Sequence, residues 1–138
     1  MYLVELDRSK RLLVISASGD VTSDEVKETA RKIRELIKDA APGIRVLTDL
    51  RWLNSMQPSA AAHIADIMDA LSEKRLASVT RIVPDPGKDI GFNILSQFHY
   101  HPPVPIFTFE TMADAIENLR LADDIQGNFE TDVTREGA

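Results

Sequence analysis

The sequence predicts an α/β fold, a mixed, mostly parallel β-sheet covered by about four α-helices, and three features of its 138 residues carry that expectation. Two apolar runs separated by a short polar turn open the chain, the pattern of an antiparallel hairpin. From Thr22 onward the apolar spacing switches to that of a helix, and strand-like and helix-like stretches then alternate. Proline and glycine punctuate most of the junctions. Parallel strands need crossovers that pass over a sheet face, so such an alternation implies helices laid on a sheet.

Tyr2, Val4 and Leu6 form the first strand, Asp7 to Lys10 the turn, and Leu12 to Ala17 the second strand. Val26, Ala30, Ile33 and Ile37 then line one face of a helix. Thr22 with Glu25 fits a capping box at its start, and Pro42-Gly43 breaks the chain after its end. Arg45 to Leu50 is short and rich in strand formers, which suits a central strand buried on both faces.

Pro58 fits the first turn of a second helix, where its missing amide hydrogen matters little, and Ala61, Ile64, Ala65, Met68 and Leu71 form its apolar stripe. A third parallel strand is expected over Ala77 to Val83, followed by the break Pro84-Asp85-Pro86-Gly87. Ile90, Ile94, Leu95 and Phe98 suggest a shorter helix that ends before Pro102-Pro103. Val104 to Phe109 completes the sheet, and Thr111 with Asp114 caps a last helix carrying Ala115, Ile116 and Leu119.

Composition narrows the function classes. With 43% hydrophobic and 28% charged residues the chain can build a full core without staples. It has no cysteine, which excludes thiolate catalysis, cysteine-held zinc and iron–sulfur clusters. Twenty-two acidic against 16 basic residues give a net charge of -6, which argues against nucleic acid as a partner. The opening residues show no basic segment followed by a long apolar run, and no stretch approaches a membrane span, so a cytoplasmic domain is expected.

Several residues can carry chemistry. Ser59, near a helix start, is either a hydroxyl that solvates the first turn or a phosphoacceptor, where phosphate would add about 1.5 to 2 negative charges beside helix amides. Asp49, Arg51, Asp85 and Lys88 fall just beyond the expected carboxyl ends of neighbouring strands, the edge where open α/β sheets bind ligands. There they form either a polar pocket for an anion or a set of solvated loop charges. Trp52, Phe92, Phe98 and Tyr100 offer apolar contact area or core packing. His99 and His101 have no sequence-local carboxylate to complete a metal set, so neither metal nor cofactor is expected. Ser59 and His63 share a helix face and Asp49 can orient a base, yet no Gly-x-Ser-x-Gly elbow or oxyanion hole accompanies them.

The order of elements, with Asp49-Leu50 closing the central strand ahead of Ser59, resembles the STAS family of anti-anti-sigma-factor-like domains over Met1 to Leu121. The runs Pro84 to Phe92, Phe98-His99-Tyr100 and Ile106 to Glu110 look like an uncharacterised bacterial SpoIIAA-like subgroup of that family. In the family's switch proteins a strand ending Asp-Leu-Ser is followed by Asp-Ser-Ser-Gly, whose second serine accepts phosphate. The spacing places that serine on Ser59. Asp49 and Leu50 match, whereas Arg51, Gln57, Pro58 and Ala60 depart from the pattern.

The resemblance implies a non-enzymatic regulatory domain spanning residues 1–121, with 122–138 a polar tail. It implies a protein partner and Ser59 as the regulatory candidate; Asp49, Arg51, Trp52, Asp85 and Lys88 are the partner- or ligand-binding candidates. The alternative is a sensor of a small anionic or amphipathic, lipid-like ligand. Homo-oligomerisation stays open.

Overall fold

The computed structural model describes residues 1–83 and 90–121. Strands β1 (Tyr2–Asp7) and β2 (Leu12–Val21) pair antiparallel, Tyr2 opposite Ala17 and Asp7 opposite Leu12. The Asp7 carboxylate closes the turn by accepting hydrogen bonds from the Ser9 hydroxyl and the Lys10 amide. Helix α1 (Ser23–Ile37) follows, then β3 (Arg45–Met56), a 3₁₀ turn (Pro58–Ala60), α2 (Ala61–Glu73), β4 (Ser78–Ile82), α3 (Ile90–His99), β5 (Ile106–Phe109) and α4 (112–121). The five strands lie in chain order across one sheet, and β2 to β5 run parallel.

A sheet whose strands advance in one direction, each joined by a crossover of one hand, receives its crossover helices on one face. The packing follows that rule. Val26 and Ile33 of α1, Ile64, Met68 and Leu71 of α2, and Tyr100 just past α3 share a core with Leu13, Ile15, Val46, Leu50 and Val79 of the sheet. On the opposite face Leu47 and Ile82 pack with Ala115 and Leu119 of α4. Alternation along β4 divides the faces: Val79 and Arg81 point toward the three helices, Thr80 and Ile82 away from them.

The helix ends confirm part of the expected capping. The Thr22 hydroxyl accepts from the Glu25 amide, but the Glu25 carboxylate sits 3.1 Å from the Met1 ammonium instead of returning to Thr22. The Ser23 amide is satisfied by the side-chain oxygen of Gln57, 34 residues away. At α4 the Thr111 hydroxyl accepts from the Asp114 amide, as expected.

Three expectations need correction. The central strand does not stop at Leu50 but runs to Met56, because the polar end of β2 supplies its partners: Ser18 pairs with Trp52, Gly19 with Leu53, Asp20 with Ser55 and Val21 with Met56. The inward frames of two helices are rotated. Ile67 and Ala70 are buried on α2 while Ala61 is exposed, and on α3 Ser96 is buried while Ile94 is 52% exposed. Ile116 of α4 likewise faces outward. No helix among the described residues is long and apolar enough to cross a membrane.

Candidate functional site

The corner where β3 leaves the sheet begins at Asp49. Between the pairs Ser16–Asp49 and Ser18–Trp52, β3 carries one more residue than β2, and a second extra residue falls between Leu53 and Ser55. Such bulges re-aim side chains. Leu50 and Leu53, three apart, are therefore both buried against the helices, which a regular strand does not allow. Gly19, opposite this irregular stretch, has φ of +70°, a conformation that a residue with a Cβ adopts at a cost.

Asp49 is buried, and Arg51 grips it with both arms of its fork: Nε to Oδ1 at 3.0 Å and an Nη to Oδ2 at 2.9 Å, with the Arg51 amide adding a bond to Oδ1 at 3.1 Å. Burial pushes the Asp49 carboxyl up, but these bonds and the guanidinium charge outweigh it and hold the group below the usual carboxylate range. The Arg51 guanidinium also lies 5.5 Å from the centre of the Trp52 ring, and that ring is 67% exposed. Asp49, Arg51 and Trp52 thus form one unit on a strand, where the sequence placed them beyond a strand end. Arg51 is engaged with Asp49 and is no isolated cation awaiting an anion. Asp85 and Lys88, expected beside it, lie outside the described residues, as do the tail 122–138 and the Phe98 side chain.

Ser59 stands on the 3₁₀ turn that joins β3 to α2 and is exposed; Pro58 opens this turn, and α2 itself begins at Ala61. Among the described residues α2 has no side-chain cap and no acidic residue in its first turn; the preceding 3₁₀ turn takes up the Ala60 and Ala61 amides through the Gln57 and Pro58 carbonyls, while the positive dipole end meets no acidic side chain of that turn. His99 pairs with Asp69 at 2.8 Å, while the backbone of His101 exchanges hydrogen bonds with Ser72, so these two histidines serve different contacts.

A second cluster was not singled out from the sequence. Arg81, in the middle of β4, is only 2% exposed and faces the three-helix core. It donates to the Ser96 hydroxyl at 2.6 Å, and its guanidinium lies 5.7 Å from the centre of the Phe92 ring. Ser96 in turn donates to the Phe92 carbonyl at 2.7 Å. A charge inside an apolar strand reads as a solvated edge when only sequence is at hand. The signal available was Ser96, whose spacing of four from Phe92 and from Tyr100 marks a face that a purely apolar stripe misses.

Neither a protein-family model nor a curated protein matches the sequence. Solved structures share its architecture. The anti-sigma factor antagonist SpoIIAA in its unphosphorylated form superposes with a TM-score of 0.62 at 18% identity, over 87% of this chain and 98% of that one. An uncharacterised DUF3478 protein with a SpoIIAA-like fold from Shewanella loihica PV-4 gives 0.64 at 20% identity, over 86% and 93%. An anti-sigma factor antagonist from Mycobacterium paratuberculosis gives 0.55 at 19%, over 87% and 93%. The class is therefore α/β with a five-stranded, mostly parallel sheet. More narrowly, the chain has the STAS or SpoIIAA-like fold.

Proposed function

We propose that this protein is a non-enzymatic regulatory domain that acts by binding another protein through the corner formed by Trp52, the 3₁₀ turn and the start of α2. The observation that carries the reading is the exposed Trp52 ring, backed by an arginine that is itself fixed to a buried carboxylate. A large apolar ring held rigid on a sheet offers contact area at little entropic cost, the character of an interface anchor. Anti-sigma factor antagonists share the fold, and SpoIIAA has been solved in both phosphorylated and unphosphorylated forms, which supports a regulatory role.

Ser59 is the proposed point of control. Phosphate there would sit beside the first turn of α2, gain from its dipole, and add negative charge to the turn that follows the strand bearing Trp52. The test is quantitative cross-linking in cells with wild type, Trp52→Ala and Ser59→Glu. A single protein cross-linked by wild type and depleted at least tenfold in both folded variants is the expected result. Equal recovery in both variants removes this corner as the interface.

A further inference from the structure

Strand β1 (Tyr2–Asp7) forms one outer edge of the sheet, and its hydrogen-bonding phase is fixed. Met1 and Ser18 exchange both backbone bonds, at 2.6 and 2.8 Å, and the register sets Leu3, Glu5 and Asp7 in the same phase opposite Ser16, Val14 and Leu12. The amides and carbonyls of Tyr2, Val4 and Leu6 therefore point away from β2, and among the described residues nothing pairs with them. A row of this kind is a template for another strand. Proteins blunt exposed edges with lysine, proline, bulges or shortness. β1 has no lysine, no proline and no break in its register, and its charged residues, Glu5 and Asp7, alternate onto the face opposite the three helices. The other edge is blunted: β5 (Ile106–Phe109) has four residues and follows Pro102, Pro103 and Pro105.

We propose that two copies of this chain pair β1 with β1 antiparallel about a two-fold axis at Val4, joining their sheets into one. The strand selects that register by its own sequence. With Val4 opposite Val4 and Tyr2 opposite Leu6, every outward residue falls in a hydrogen-bonded pair, two bonds to a pair and about six in all. On the helix side these are apolar pairs, and on the other face the exposed Leu3 meets Glu5. Sliding one strand by two residues leaves a pair unmade, and in one direction sets Glu5 against Glu5. Sliding it by one sets outward residues against inward ones. Charge favours the same alignment. The open groove between α1 and the start of β1 is lined by Asp24, Glu25 and Glu28, with Lys32 the one basic residue among them. The two-fold brings the turn after β1 of the second copy, with its exposed Arg8 and Lys10, to that end of the strand. Arg8 is on the helix side, as its bond to the Leu36 carbonyl shows, and so faces these carboxylates. The contact is isologous and occurs twice. Trp52 stands on β3, two strands in from this edge, and the inference is independent of the protein-binding reading.

The experiment is analytical ultracentrifugation of the full chain over a concentration series, with cysteine pairing to read the register. Wild type is expected to double its mass as concentration rises, and added salt to weaken the association. Val4→Pro removes the central amide, which the chain itself does not use, and should weaken association at least tenfold while keeping the circular dichroism of wild type. The chain has no cysteine, so introduced thiols report this contact alone. Leu3→Cys mixed with Glu5→Cys should give on oxidation a disulfide-linked dimer of the two variants. Neither should link to itself, because like positions then lie on a diagonal, beyond the reach of a disulfide. This measurement serves if Val4→Pro does not fold. Trp52→Ala should associate as wild type does, which separates the edge from the proposed partner surface. A monomer at every concentration, unaltered association of folded Val4→Pro, self-linking of either cysteine variant in place of the mixed pair, or loss of association in Trp52→Ala overturns the proposal.

Discussion

The two faces of the sheet are built unequally. One is roofed by three helices and holds a continuous core from Val26 on α1 to Tyr100 at the end of α3. Among the described residues the other is covered by α4 alone, with Leu47, Ile82, Ala115 and Leu119 buried and Leu12, Val14, Phe109 and Met112 only partly so. Strand order explains the difference, since unidirectional crossovers of one hand send every connecting helix to one side and leave the other to whatever follows the last strand. Charge is unequal as well. The thick face holds Arg81 beside a cavity, whereas Asp49, paired across to Ile82, is on the thin face, held by Arg51. On both faces the polar group is buried, but Arg81 is covered by helices whereas Asp49 is covered by an arginine of its own strand.

The largest test of this asymmetry removes one residue from each side. Ile33→Ala should cost about 3 to 4 kcal/mol, and Leu119→Ala about 2, because a cavity under three helices cannot collapse as easily as one under a single peripheral helix. Urea unfolding measures both, and equal costs would erase the distinction. Asp49→Asn should follow at about 1 to 2 kcal/mol, since it weakens the hydrogen bonds from Arg51 to a buried group. Its sign is set by pH. The folded-state pKa of Asp49 lies below its unfolded value, so its contribution is present above the usual carboxylate range and is lost as pH falls through the folded value. The gap between wild type and Asp49→Asn should therefore close below about pH 4.

Gly19→Ala comes next, at about 1 kcal/mol, because the position has positive φ although a Cβ there meets open space. The informative readout is hydrogen exchange along residues 52–56. Faster exchange confined to that stretch ties the strand extension to the bulged register, and uniform acceleration along β3 argues against it. Smallest of all, Ser59→Asp should stabilise the protein by about 0.5 kcal/mol at low salt through the α2 dipole, an effect that added salt should suppress. No change in the thermal midpoint would show that the carboxylate does not reach the uncapped turn.

Much of the architecture was legible because local periodicity reports it. The hairpin, the α1 stripe Val26-Ala30-Ile33-Ile37 and the Thr111 cap each depend on residues close in sequence, and each formed where the pattern placed it. The candidate site was legible only in part. Type and spacing single out Asp49, Arg51 and Ser59 as candidates, yet from sequence Arg51 and Trp52 fall in a connection, whereas Arg51 to Gln57 is polar and β3 runs through it to Met56. That polarity is matched by the equally polar end of β2, where Asp20 accepts hydrogen bonds from both Asn54 and Ser55. Neither segment signals a strand by itself; each becomes one in the presence of the other.

From the amino-acid order alone came what short-range forces control: which stretches repeat every two residues and which every three or four, where turns break them, and hence a mixed sheet under helices. Only tertiary contact decided the facing of Arg81, the rotation of α2 and α3, and the reach of β3 to Met56. These depend on pairs such as Arg81 with Ser96, 15 residues apart, and Asp20 with Ser55, 35 apart. A hydrogen bond over such a separation leaves no periodic trace in the sequence, because its partner is chosen by the fold rather than by a neighbour.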